Sequence, residues 1–171
     1  MDEVKACFSK LWDKAAYQCQ LLKNEIERQF PFLTVMGGKG AFDSEHHTEN
    51  SESGEPDLFL YYGQRLICAV EVTGSDKVAN PWKIWIGAHK IKFAETAKYP
   101  LGFFFFYGKD NQMRYFTTYD EIKTVVEPVK IRTIRGLNFE YHILDNSYFK
   151  DEAAFWNWLQ YCIENFQETE P

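Results

Sequence analysis

Asp57 and Glu71 are the residues of this chain whose type and spacing suit chemistry. Asp57 follows Pro56 and opens one apolar run, "DLFLYY", and Glu71 stands near the end of the next, "RLICAVEVT". Gly63-Gln64 separates the runs, and a two-residue link containing glycine between β-rich segments predicts a tight antiparallel hairpin. Asp57 lies six residues before the turn and Glu71 seven after it. The hairpin therefore sets them nearly opposite each other, within reach of a shared ion. A carboxylate in a run as apolar as "LICAVEV" is costly to bury without a partner. A divalent cation removes that cost. Mg²⁺ takes one or two carboxylates together with waters and substrate phosphates, and it activates water and stabilises charge developing on phosphate. Taken singly, Glu71 would serve equally as the partner of a lysine or arginine, and Asp57 as a loop cap. Together, with Pro56 and a polar loop leading in, they favour the metal.

The elements that must position this pair are readable along the chain. Val4, Cys7, Phe8, Leu11, Trp12, Ala15, Cys19, Leu22 and Ile26 recur at three- and four-residue intervals, which predicts one amphipathic helix over residues 4–29. "FPFLTVM" reads as a short strand, with Pro31 marking the helix end. "GGKGAFDSEHHTENSESG", Gly37 to Gly54, is a long polar loop, of the kind that is either functional or disordered in a compact domain. After the hairpin, a helix is predicted at about residues 86–98, ending before Pro100. "LGFFFFYG" and "QMRYFTTY" follow as strands, and "VKIRTIRGLNFEYHIL" as a hairpin turning at Gly136-Leu137-Asn138. "DEAAFWNWLQYCIENF" closes as an amphipathic helix with Asp151 as its N-cap. The expected class is α/β, a mixed central sheet flanked by helices, forming a single domain over residues 1–171.

Pro56-Asp57, a short spacer, then Glu71-Val72-Thr73 resembles the motif of the PD-(D/E)xK nuclease superfamily, which includes archaeal Holliday-junction resolvases and type II restriction enzymes. The element order from about residue 4 to residue 107 is also similar to that family's αβββαβ core, leaving residues 120–171, the last hairpin and helix, as a C-terminal extension. The resemblance implies a Mg²⁺-dependent endonuclease, with Mn²⁺ able to substitute, hydrolysing phosphodiester bonds in DNA. Asp57 and Glu71 would hold the metal with the main-chain carbonyl of Val72, leaving a 5′-phosphate and a 3′-hydroxyl after in-line attack by water. It also implies a homodimer.

The motif's lysine belongs at position 73, where this chain has Thr73. Some members recruit the lysine from the following helix, and Lys90 in "GAHKIKFAE" is the candidate here; an exposed helical lysine is the alternative. Lys77 and Lys83, read as loop residues, and Lys92, on another helix face, are instead expected to meet nucleic acid. The first helix, where the family often carries a further Glu, has Gln18 and Gln20 at that turn and Glu25 beyond it. Thr73 and the missing acid keep open the alternative of an inactive nuclease-fold module that binds nucleic acid or protein.

Charge and composition bound these readings. The net charge of −6 argues against indiscriminate nucleic-acid binding, yet Lys77 to Arg135 holds eleven basic and five acidic residues, a local +6. Such a middle suits a phosphate-facing surface. Cys7, Cys19, Cys68 and Cys162 form no CxxC pair and read as buried free thiols. No apolar run is long enough to span a membrane, and "MDEVKACFSK" lacks the layout of a secretory signal, so a cytoplasmic protein is expected. His46-His47 with Glu45 and Glu49 is a weak zinc pattern. "GGKG" lacks the ending of a phosphate-binding P-loop and suits a turn or a flap. Trp82 and Trp85 would either stack on bases or fill the core.

Overall fold

The computed structural model describes residues 2–38, 41–42, 54–75, 83–126, 128–134 and 136–168. Helix α1 (Asp2–Gln29) has the expected stripe where its side chains are described: Cys19, Leu22 and Ile26 are buried, while Tyr17, Gln20, Asn24 and Arg28 face outward. Pro31 has no N–H to extend it. Strands β1 (Leu33–Gly37), β2 (Leu58–Tyr62) and β3 (Arg65–Ser75) follow, then β4 (Lys83–Gly87), α2 (Ala88–Thr96), β5 (Leu101–Tyr107) and β6 (Met113–Thr118). A short α3 (Tyr119–Ile122), the hairpin β7 (Lys130–Ile134) and β8 (Leu137–Asp145), the two-residue β9 (Lys150–Asp151) and α4 (Glu152–Glu168) complete the order. Asp151 accepts the Ala154 N–H at 3.4 Å, as an N-cap does.

Six strands form a mixed sheet in the order β1-β2-β3-β5-β6-β9, parallel between β3 and β5 and antiparallel elsewhere. The run "FFFF" explains how that sheet is covered. Phe104 and Phe106 enter one core with residues of α1 and α4, and Phe103 and Phe105 enter a second core with Ile84, Ile86, Ile91 and Leu144. A strand covered on both faces reads as a near-continuous apolar run. The second core is closed by a separate three-stranded antiparallel sheet, β4-β8-β7.

Several expectations are corrected. "KIWIG" is strand β4, not loop and helix start, and α2 occupies residues 88–96 rather than 86–98. Ile84 and Ile86 alternate with Trp85 at period two and are buried, and Gly87 is a poor helix former, so pairing with β8 wins. Lys83 is accordingly a strand residue. The β7–β8 turn comes one residue earlier than expected: Ile134 pairs with Leu137, and Gly136, at φ 80, supplies the left-handed turn position.

The outer strand β1 is tied to α1 by side chains. Lys23 Nζ donates to the Val35 carbonyl at 2.8 Å, and the Val35 N–H donates to Glu27 Oε1 at 3.2 Å. Cys19, Cys68 and Cys162 are free and buried; Cys7 has no described side chain. No helix among the described residues is long and apolar enough to cross a membrane.

Candidate active site

One extra residue in β3 brings the two acids together. The hairpin pairs Tyr62 with Arg65 and Tyr61 with Leu66, then Leu60 with Cys68, so Ile67 has no partner and forms a bulge. Beyond it Leu58 pairs with Val70, which leaves Asp57 across from Glu71. Without the bulge Asp57 would stand opposite Val70, whose side chain belongs to the other core. A shift of one residue would turn Asp57 to the wrong face. Glu71 pairs with Phe103 and Thr73 with Phe105, so both share the face covered by α2.

Both carboxylates are buried, Asp57 at 2% exposure and Glu71 at 8%. Asp57 Oδ2 accepts the Val72 N–H at 2.9 Å, which fixes the carboxylate beside the strand. Its own carbonyl accepts the Gly38 N–H at 2.7 Å. A Cβ on Gly38 would come within 2.3 Å of the Pro56 carbonyl oxygen, so this glycine of "GGKG" lets the two loops touch.

Lys90, from the first turn of α2, stands over Glu71 with its Nζ 2.9 Å from Oε2, and it donates to the Glu55 carbonyl at 2.9 Å. The approach to Oε2 lacks hydrogen-bond alignment, so that buried oxygen has a charge beside it but no directed donor. Burial, then the Asp57 charge, pushes the Glu71 carboxyl up to about 8 against the pull of Lys90. At Lys90 burial works against the ammonium, but Glu71 and Asp57 outweigh it and hold its pKa above the ordinary value. Cys19, from α1, lies in the same field; burial, then Asp57 and Glu71, raises its thiol and keeps it protonated. Gly54 secures the approach: its φ is 72, and a Cβ there would lie 2.5 Å from the His89 carbonyl oxygen of α2.

Asp57, Glu71, Val72 and Lys90 are thus gathered in one place, and Thr73 lies on their face without a charge. Lys92, exposed on α2, sits roughly 200° around the helix from Lys90. Lys83 is exposed on β4, paired in register with Asp145. Lys77, Trp82 and the Glu45-His46-His47-Glu49 group lie outside the described residues. Among its described side chains, helix α1 brings no carboxylate here. Gln18, at 1% exposure, donates to Asn111 Oδ1 at 2.8 Å, and Glu25 is bound by Arg114 at 2.7 and 3.0 Å. Among the described residues no group of three or more His, Cys, Asp or Glu is disposed to hold a metal. The two facing acids, with an undonated buried oxygen on one of them, nevertheless fit a divalent cation that binds largely through water and substrate.

Sequence reasoning named Gly38 only within a turn or flap, and it missed Glu55, the contact of Gly54 with α2 and the Ile67 bulge. Only the bulge had a signal, in the unequal counts of six and seven residues on the two sides of the turn.

No family model matches the chain, and no curated protein matches it. Among solved structures it is similar to D212, a nuclease from a fusselovirus, at 14% identity over 87% of this chain and 89% of that one, with a TM-score of 0.54. The Holliday junction resolvase Hjc of Archaeoglobus fulgidus matches at 12% identity over 83% of this chain and 94% of its own, with a TM-score of 0.48. The likeness to D212 shows the fold, a mixed central sheet flanked by helices of the restriction-endonuclease-like type.

Proposed function

We propose that this chain, built on the restriction-endonuclease-like fold, is a metal-dependent nuclease acting on DNA, with Asp57, Glu71 and Lys90 as its catalytic groups. The observation that carries the reading is the 2.9 Å approach of Lys90 Nζ to Glu71 Oε2, in the pocket shared with Asp57, where Thr73 offers no charge. Asp57, Glu71 and the Val72 carbonyl would hold Mg²⁺, or Mn²⁺ in its place. That ion would supply Lewis-acid polarisation of the phosphate and make a neighbouring water more acidic.

The chain's own part is position and charge. Lys90 keeps its proton, because the two carboxylates raise its pKa. It therefore acts as a hydrogen-bond donor that orients water and offsets charge on the phosphate, not as a base. Asp57 is held by the Val72 N–H, and Lys90 by the Glu55 carbonyl, so neither side chain must reorganise at the moment of reaction. In the reaction a water oxygen bonds to phosphorus and gives up a proton to solvent, the P–O3′ bond breaks, and the leaving 3′ oxygen takes a proton from solvent. The products are a 5′-phosphate and a 3′-hydroxyl.

We read residues 1–171 as one domain, because β8 and α4 each contribute to a core built on the main sheet. A homodimer is the expected assembly, to be checked by sedimentation.

The test is cleavage of linear duplex, single-stranded and four-way-junction DNA with Mg²⁺ or Mn²⁺. Wild type should cut, and Asp57→Ala should not. A second reading, a nuclease-fold binding module, is favoured by the absence of a third acidic ligand among the described residues. Folded wild-type protein that cuts none of these substrates and binds no Mn²⁺ would establish that reading instead.

A further inference from the structure

The outer face of the three-stranded sheet carries aromatic and basic side chains that the site above does not use. Trp85 pairs with Ile143, Gly87 with Tyr141, Lys130 with Tyr141, and Arg132 with Phe139. Directly paired residues share a face of a sheet. Ile84, Ile86 and Leu144 are buried on the inner face, so Lys83, Trp85, Lys130, Arg132, Phe139 and Tyr141 stand together on the outer one. The rings are half-buried and the basic groups exposed.

These side chains form a connected surface. The Arg132 guanidinium carbon lies 4.2 Å from the centre of the Trp85 ring. The Trp85 and Tyr141 ring centres are 5.5 Å apart at 68°, and those of Phe139 and Tyr141 6.3 Å apart at 43°. Among the described residues, Lys83, Lys130 and Arg132 share the face with one acid, Asp145, which accepts the Ser147 N–H at 2.9 Å and faces Lys83 across the strand pair. This is a positive, ring-bearing surface on a chain of net charge −6. Strand β4 runs directly into α2, so Trp85 and Lys90 lie on either side of Gly87.

We propose that this face binds single-stranded DNA and leads a strand towards the Asp57–Glu71–Lys90 site. Unpaired bases stack on aromatic rings whatever their sequence, and the two lysines and the Arg132 guanidinium meet the phosphates. A duplex keeps its bases paired and offers this face only its backbone. The rings would then be idle, which is why a single strand is the occupant. The role in delivery rests on the nuclease reading. The binding does not, and it is measured separately.

The experiment is fluorescence anisotropy of a labelled oligothymidylate of about 12 nucleotides, with EDTA present so that no cleavage occurs, against wild type, Arg132→Gln and Trp85→Leu. Arg132 is exposed, so its replacement tests the face even if Trp85→Leu fails to fold. Wild type should bind the single strand more tightly than duplex. The slope of log affinity against log salt should be about −2, at roughly 0.7 for each of three phosphates. Arg132→Gln should weaken binding about tenfold and flatten the slope by about 0.7. Equal affinity for duplex, unchanged binding by Arg132→Gln, or a wild-type dimer that Arg132→Gln dissociates would each overturn the proposal. Single-strand binding by a protein that cuts nothing would sustain this inference while ending the nuclease reading. Cleavage with unaltered binding in the variants would do the reverse.

Discussion

An ammonium beside two buried carboxylates makes their burial tolerable, and under the proposed function it has a second task, to meet a phosphate. Lys90→Ala removes both. Cleavage should fall by about 10²–10³-fold or more, in the range of losing one preorganised donor to a reacting oxyanion. The stability cost should stay below the roughly 3–5 kcal/mol of a broken buried ion pair, because Glu71 can take up a proton instead. Single-turnover rates and urea titrations of the variant measure the two losses separately. The double variant Thr73→Lys, Lys90→Ala is the sharper test. Thr73 lies on the Glu71 face two residues along the same strand, so a lysine there should restore part of the rate that Lys90→Ala loses. A double variant as inactive as the single one would mean that the helix position itself, not the charge, is required.

At the scale of elements the site is a product of register and close approach. Gly74 lies where a Cβ would come within 2.1 Å of the Phe106 carbonyl oxygen and 2.7 Å of Gln18 Nε2. Gly74→Ala must therefore push β3 and β5 apart, at about 1–3 kcal/mol or more in thermal or urea unfolding. The cap of α3 gives a pH prediction. Burial pushes the Glu121 carboxyl up, but bonds from Lys150, the Thr118 N–H and the Thr117 hydroxyl outweigh it and hold it below its ordinary 4.5. A depressed carboxyl contributes stability above its unfolded pKa and loses it as pH falls through the folded one. Unfolding midpoints should thus drop on acidification below about pH 4.5, and less so in Glu121→Gln. Much of this scale was legible in the sequence. The hairpin, the α1 stripe and the helix bearing Lys90 follow from local periodicity and a two-residue turn. Strand β4 was not legible, because five residues running into a helix give too short a period, and its partner β8 lies some fifty residues on. Nor was the contact of Gly54 with α2, which depends on tertiary approach and leaves no pattern in a row of letters.

The whole molecule is acidic, with its two carboxylates facing each other inside, so a cation that binds only the folded form should stabilise it. With Mn²⁺ at a hundred times its dissociation constant, the gain is about 2.7 kcal/mol by mass action. Melting curves should rise with Mn²⁺ in wild type and not in Asp57→Ala; equal shifts in both would place the ion elsewhere. The hold of α1 on Val35 has a further consequence at this scale. An unoccupied strand rim is a template on which another chain can crystallise its own strand, copy after copy. On the six-stranded sheet, Lys23 and Glu27 occupy the Val35 main-chain groups at one end, and at the other β9 is two residues long before α4 begins. The rim of β7 differs, but Lys130 and Arg132 there set like charges against an incoming copy. Polymer growth from the folded protein is thereby obstructed at each of these rims, and α1 is a gatekeeper as well as a core helix: peel it away, and the first thing uncovered is a seed.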